Sequence, residues 1–343
     1  MVKERLSNIE LLRIICMVLI VAGHANYLVY EPPSKIDMLS SPSISLFRII
    51  LYQLGVVAVN CFVFISGWFK IKPDLKKGGY LILETLEYGF GISLLFLLLH
   101  YHVPKQQFIR MFFVGEYYWF IIAYLQLLLV APILNYFVEN TSKGMFRTVV
   151  VLFILFEFVY GWIGGVGNYA SGYSGLHFIG VYLLAQYIRQ FLSSDISYLK
   201  SFSLYLIPAL LSVGLIWIGG GIFNEKWTYT LFRYMISYNS PLVLLSSVGL
   251  FLVFYRIKFR NKIVNWMSSS VLAIYLIHLQ PQFFENVFTP LILRCEMNVI
   301  LIVGIVIATC FFCIMADKIR LYIEHTLIKL FSLIHERKNL HVV

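Results

Sequence analysis

The sequence predicts an all-α integral membrane protein of about ten transmembrane helices, with both termini cytoplasmic and a central polar cavity. Three observations predict it. First, 60% of the 343 residues are hydrophobic and 13% charged, where a soluble domain has about 45–50% apolar and about 25% charged residues. Lipid must cover the excess, which excludes a soluble enzyme, a secreted disulfide scaffold and a disordered chain. Second, apolar runs near the length of about 20 residues that a spanning helix needs recur at 9–30, 46–69, 80–100, 117–138, 148–165, 178–193, 203–222, 231–255, 268–289 and 297–316. Third, the loops alternate in charge. Nineteen of the 27 Lys and Arg residues fall in the N-terminal segment, in loops 70–79, 139–147, 189–202 and 256–265, and after 316. Six fall in the opposite loops. Such an excess marks the cytoplasmic side, and an odd helix count would destroy it. The net charge of +10 therefore addresses anionic headgroups rather than nucleic acid.

The runs take their character from a few polar residues each. The first carries Arg13 and His24 and lacks a small-residue cleavage site, so it reads as a retained helix. The second holds Asn60 and ends in Phe64-Ile65-Ser66-Gly67-Trp68; the third holds Glu84 and Glu87. The fourth opens with Tyr118-Trp119-Phe120, the fifth contains Glu157, and the sixth is the shortest. The ninth contains His278, and the tenth Cys310-Phe-Phe-Cys313. That cysteine spacing has no second pair and no histidine beside it, so it reads as helix packing and no metal site is expected. The tail 317–343 sets apolar residues among Lys, Arg and Glu, the pattern of an amphipathic cytoplasmic helix. No linker divides residues 1–343, which read as one domain. No internal repeat is visible, which weighs against an inverted-repeat transporter.

Ionisable residues within lipid are functional candidates by default. Arg13 and His24 are eleven residues apart, three turns plus about 20°, hence on one helix face and about 16 Å apart along the axis. Glu10 lies one turn below Arg13. Two readings stand: a cationic anchor beneath a titratable imidazole in a polar cavity, or a snorkelling Arg and a His bonded to a neighbouring helix. Glu84 and Glu87 share a face as proton-relay carboxylates or as partners for Arg13 or Arg48. His278 reads as a packed, hydrogen-bonded histidine. His24 and His278 as axial haem ligands find no other support. Ser66 lacks the first glycine of a nucleophile elbow, and His24 has no Asp five residues on, unlike acyltransferases with that pair. Loop 164–177, rich in Gly, Tyr and Ser, reads as a connection or as a sugar-stacking surface.

Four segments, in this order, resemble the membrane acyltransferase-3 family: Arg13 with His24, Phe62 to Phe69, Tyr118-Trp119-Phe120, and Ser269-Ser270-Val271 through Tyr275-Leu276-Ile277-His278. The resemblance spans essentially the whole chain. It implies transfer of an acyl group, usually acetyl from acetyl-CoA, to a hydroxyl of an envelope glycan or its lipid-linked precursor, as in exopolysaccharide O-acetylation, by a multi-pass protein of the cell membrane. It implies that His24 is catalytic and that Arg13 is required. In place of the family's Arg-x-x-Arg after helix two stand Lys70, Lys72 and Lys76, which hold phosphate as point charges without the bidentate fork. With acetyl-CoA arriving from the cytoplasm, Arg13, Lys70 and Lys72 are the expected donor-binding residues. Glu10, Asn60, Ser66, Trp119 and His278 are the expected supporting groups. Catalysis is expected within the membrane part, without a metal. A transporter or flippase of lipid-linked oligosaccharide is the alternative, and it predicts no acyl-CoA dependence.

Overall fold

Helix follows the apolar runs, and it breaks where small, polar or proline residues interrupt them. The computed structural model describes residues 5–72, 74–113, 117–166, 171–192 and 196–340, with side chains to 329 except Leu75. Helix α1 (Ser7–His24) passes directly into a π-turn, Ala25–Val29. After a short α2 (Lys35–Ser40), the second apolar run folds in two pieces, α3 (Pro42–Gly55) and α4 (Ala58–Phe69). Asp74 caps α5 (Leu75–Leu98), accepting the Lys76 N–H at 3.0 Å. There follow α6 (Lys105–Phe112), α7 (Trp119–Asn140), and α8 (Lys143–Phe156), which continues as a π-turn over Glu157–Ile163. Side-chain oxygens of Ser174, Ser197 and Asn224 cap α9 (Gly175–Phe191), α10 (Tyr198–Ile222) and α11 (Glu225–Met235). Helix α12 (Pro241–Arg256) starts on a proline, which needs no N–H there. The rest is α13 (Lys262–Ser268), α14 (Val271–His278), α15 (Pro281–Phe283), α16 (Thr289–Leu293) and the long α17 (Val299–Leu340).

Among the described residues there is no strand, and seven helical stretches are long and apolar enough to cross a bilayer. Counted as one stretch, the bent pair Lys262–His278 and Pro281–Leu293, which meet at 73°, makes an eighth candidate. The other two apolar runs form shorter helices, α9 with 17 residues and α12 with 16, about 25 Å each at 1.5 Å per residue. The run 231–255 is not one helix. Ile236 to Ser240 separate α11 from α12, because Pro241 cannot supply an interior N–H. The tail from Asp317 continues α17 as far as Leu340 without a break.

Two glycines let one helix approach the backbone of another. A Cβ on Gly67 would sit 2.6 Å from the Tyr182 carbonyl oxygen and 2.8 Å from the Ala185 Cβ, so α4 meets α9 backbone to side. A Cβ on Gly249 would collide with the backbone of Leu204 and Tyr205, where α12 crosses α10. Next to the first contact the fully buried Phe64 and Trp68 pack on Phe251, with ring centres 4.7 and 4.9 Å apart. A second apolar cluster gathers Met17, Val21, Ile274, Leu276, Cys310 and Cys313, tying α14 between α1 and α17.

Polar contacts sort the helix ends into two sets. At one end, Asn8 donates to the Phe254 carbonyl (2.9 Å), Lys70 pairs with Glu139 (2.8 Å) and Lys318 donates to Ser269 (2.6 Å). There too Arg320 pairs with Glu87 (2.8 Å), Asp317 (3.0 Å) and Glu84 (3.6 Å), so the α5 carboxylates answer Arg320 rather than Arg13 or Arg48. At the other end, the Tyr30 hydroxyl donates to the Ile292 carbonyl (2.6 Å), the Lys35 N–H to Glu225 (3.0 Å) and the Trp162 indole to the Tyr234 carbonyl (2.7 Å). Arg48 there is held by Asn26 (2.8 Å) and the Glu31 carbonyl.

Candidate active site

Helix α1 presents Arg13 and His24 to one cavity of about 360 Å³, within the range of small-molecule sites, about 300–1,000 Å³. Arg5 and Arg13 line it near the α1 N-terminus, and His24 lines it about three turns further on. Arg13 lies 3.9 Å from Glu10, whose carboxylate also accepts the Ser268 hydroxyl. The Arg13 side chain remains 41% exposed, and its Nε has no protein partner. The walls are mainly apolar and aromatic rather than polar, with Phe62, Phe120, Tyr124 and Tyr275 along them.

His24 ends the regular part of α1, and the π-turn follows it at once. Its Nδ1 lies 2.8 Å from Nε2 of His278, the last residue of α14, and the two rings lie edge to edge, tilted by 23°, with centroids 5.1 Å apart. The Nδ1 of His278 lies 2.5 Å from the Ile274 carbonyl oxygen. A carbonyl only accepts, so His278 Nδ1 carries the proton there. In the neutral pair, His278 Nε2 is then the acceptor and His24 Nδ1 the donor. That leaves the basic lone pair of His24 on Nε2, the nitrogen available to a hydroxyl in the cavity. Two nitrogens at hydrogen-bonding distance leave no room for a metal between them, so the axial-ligand reading falls.

The other expected residues divide. Ser66 lines the cavity, donates to the Phe62 carbonyl (3.1 Å) and stands 3.2 Å from the Tyr124 hydroxyl. Trp119 lines it with Tyr238, their rings 5.6 Å apart, and Tyr173 packs on both at 4.5 and 4.9 Å. Tyr173 belongs to loop 164–177, of which residues 167–170 lie outside the described ones. Asn60 is fully buried behind the wall. Its amide donates to the Tyr238 carbonyl (2.8 Å), and its oxygen faces His177 Nε2 (2.9 Å). His177 meets Glu157 at 3.3 Å. Lys70 and Lys72 are not brought to the cavity: Lys70 is held by Glu139, and Lys72 is exposed. Sequence reasoning missed Arg5, which it counted only as an orienting charge. It also missed Tyr238, which sits in the Ser-Tyr-Asn-Ser-Pro break of a run read as one helix, and His177.

The four segments that carried the resemblance therefore converge. Arg13, His24, Phe62, Ser66, Trp119, Phe120 and Tyr275 surround one cavity, with His278 behind His24. A family model described as an acyltransferase domain, that of the acyltransferase-3 family, matches residues 6–318. The chain belongs to the acyltransferase-3 family. Comparison with curated proteins and with solved structures finds no match. As a member of this family with several bilayer-length helices, the chain is a multi-pass membrane acyltransferase. The family match closes at Lys318, where α17 passes beyond its contact with Ser269.

Proposed function

We propose that the protein takes an acyl group, most simply acetyl from acetyl-CoA, and places it on a hydroxyl of an envelope glycan or its lipid-linked precursor at the cell membrane. The single observation behind this reading is the shared cavity of Arg13 and His24, with His24 oriented by His278. Its length suits a donor whose anionic end stays near Arg13 while its thioester extends about 16 Å to His24. The reading also takes the chain to cross the membrane ten times with both termini cytoplasmic. Its support is the charge bias of the loops and the sorting of helix ends into two sets. Trp119, Tyr173 and Tyr238 then flank the outer end, where flat aromatic faces suit a sugar ring.

In the direct route His24 Nε2 takes the acceptor hydroxyl proton as that oxygen attacks the thioester carbonyl. The C–S bond then breaks, the thiolate of CoA leaves, and the imidazolium returns the proton to sulfur. In a route through acyl-His24, Nε2 attacks the thioester carbonyl, the C–S bond breaks and CoA leaves as thiolate. The hydroxyl then attacks the acyl carbonyl, the C–N bond breaks, and the hydroxyl proton passes to the freed Nε2 and on to the thiolate. Neither route calls on a metal. Mass and NMR comparison of envelope glycan from cells with and without the gene tests the reading. It predicts loss of ester-linked acyl groups from otherwise normal glycan. Loss of surface glycan with acylation intact would instead favour movement of a lipid-linked sugar.

A further inference from the structure

Behind the aromatic wall of the cavity, polar side chains from three elements form one buried chain. Glu157 opens the π-turn after α8, His177 lies in the first turn of α9, and Asn60 lies in the first turn of α4. They are 6%, 2% and 0% exposed. The Asn60 amide donates to the Tyr238 carbonyl at 2.8 Å, and its oxygen meets His177 Nε2 at 2.9 Å. A backbone carbonyl only accepts, which fixes the Asn60 amide with its nitrogen toward Tyr238 and its oxygen toward His177. His177 Nε2 therefore carries a hydrogen. Its Nδ1 lies 3.3 Å from Glu157 Oε2. A bare ring nitrogen and a carboxylate both only accept, so a further proton lies between them, on His177 as an imidazolium or on Glu157 as a carboxylic acid.

The chain ends on the segment that carries the aromatic face. Residues Ile236 to Ser240 join α11 to α12, and backbone bonds tie this break down at and beside Tyr238. Besides the Asn60 contact, the Tyr238 N–H donates to the Ser171 carbonyl (3.0 Å), and the Trp162 indole donates to the Tyr234 carbonyl (2.7 Å). Trp162 belongs to the same π-turn as Glu157. The Tyr238 ring in turn packs on Trp119 and Tyr173.

We propose that the Glu157–His177–Asn60 chain, with its bound proton, positions the acceptor: it sets the backbone at Tyr238 and thereby the aromatic face that meets the sugar. The proposal rests on the reading of Trp119, Tyr173 and Tyr238 as that face. Ionisable groups within a membrane are costly, and none of the three residues lines the cavity, so their effect passes through Tyr238. Without a carboxyl at position 157, His177 is free to carry its hydrogen on Nδ1. A bare Nε2 then repels the Asn60 oxygen and loosens the hold on Tyr238. Glu157→Gln supplies an amide N–H to Nδ1 and keeps the hydrogen on Nε2.

The test measures thiol release from acetyl-CoA by the full-length protein in nanodiscs, with glycan extracted from cells lacking the gene as acceptor. Acetyl-CoA affinity is read by calorimetry on the same samples. Asn60→Ala and Glu157→Ala should raise the KM for glycan by about fivefold or more, the scale of one lost hydrogen bond, with acetyl-CoA affinity kept. Tyr238→Ala should raise it too, and Glu157→Gln should recover most of what Glu157→Ala loses. Asn60→Leu, nearly the size of the native residue, should behave as Asn60→Ala and replaces it if the smaller side chain prevents folding. An unchanged glycan KM in the Asn60 variants, beside a raised one in Tyr238→Ala, would overturn the positioning chain alone. Equal loss in Glu157→Gln and Glu157→Ala would overturn the role of the proton. A parallel loss of acetyl-CoA affinity would mean that the three residues serve packing only. An unchanged KM in Tyr238→Ala would overturn the aromatic acceptor face itself, and the positioning role with it.

Discussion

The Ile274 carbonyl lies 2.5 Å from His278 Nδ1, and His278 Nε2 lies 2.8 Å from His24 Nδ1, so a backbone oxygen sets the tautomer of the cavity histidine two bonds away. His278 thereby positions His24 without lining the cavity. His278→Ala should lower kcat by about 10–100-fold, the usual effect of losing a group that orients a functional histidine. KM for the donor should change little. His278→Gln, whose amide oxygen can still accept from His24 Nδ1–H, should recover part of the rate. Equal loss of donor affinity and kcat in both variants would mean that His278 serves packing alone.

Arg13 should act on the donor rather than on chemistry. Arg13→Ala removes a cation with an unpartnered Nε in the cavity, and a charge-assisted contact contributes on the order of 1.5–3 kcal/mol. Because the side chain is 41% exposed, solvent screening should keep the loss toward the lower figure. Steady-state kinetics should show a raised KM for acyl-CoA with kcat largely kept, and Arg13→Lys should restore part of it. A fall confined to kcat would place Arg13 in the chemical step instead.

Lys70→Ala should be nearly silent for the donor. Its partner Glu139 is mostly exposed, and exposed ion pairs contribute about 0–1 kcal/mol. Acyl-CoA titration should give wild-type affinity; a tenfold loss would return the 70–79 loop to donor binding.

Gly67→Ala should destabilise the α4–α9 contact. A methyl 2.6 Å from the Tyr182 carbonyl forces the helices apart, and overpacking of this kind costs about 1–3 kcal/mol. A lower thermal midpoint for the purified variant is the expected result, and an unchanged one would show that α4 and α9 separate freely.

Sidedness is open to direct labelling. Single cysteines at Lys72 and at Lys226, in a background with the five buried native cysteines replaced, should react with an impermeant maleimide from opposite sides. Reaction from the same side would overturn the ten-crossing arrangement.

What could be read in the sequence was what helical periodicity carries. The eleven-residue spacing of Arg13 and His24 puts them on one face whatever packs against α1, and both line the cavity. The apolar runs and their loop charges likewise depend only on local composition. Pairing across the fold does not. Glu139 stands 69 residues from Lys70 and Arg320 lies 233 from Glu87, so neither pair follows from spacing. His278 was legible as a bonded histidine, but its bond to a residue 254 positions away was not. Hydropathy windows also pass over short breaks. They merge α11 with α12 across Ile236 to Ser240, and so hide Tyr238, whose backbone Asn60 holds against the cavity.

The central claim is that His24 Nε2 performs the chemistry while the donor is bound elsewhere along α1. Its most direct test is His24→Ala in the full-length protein in nanodiscs, with acyl-CoA affinity and acyl transfer measured on the same sample. The account predicts donor affinity close to wild type and transfer reduced to background. Transfer near the wild-type rate by that well-folded variant would contradict it.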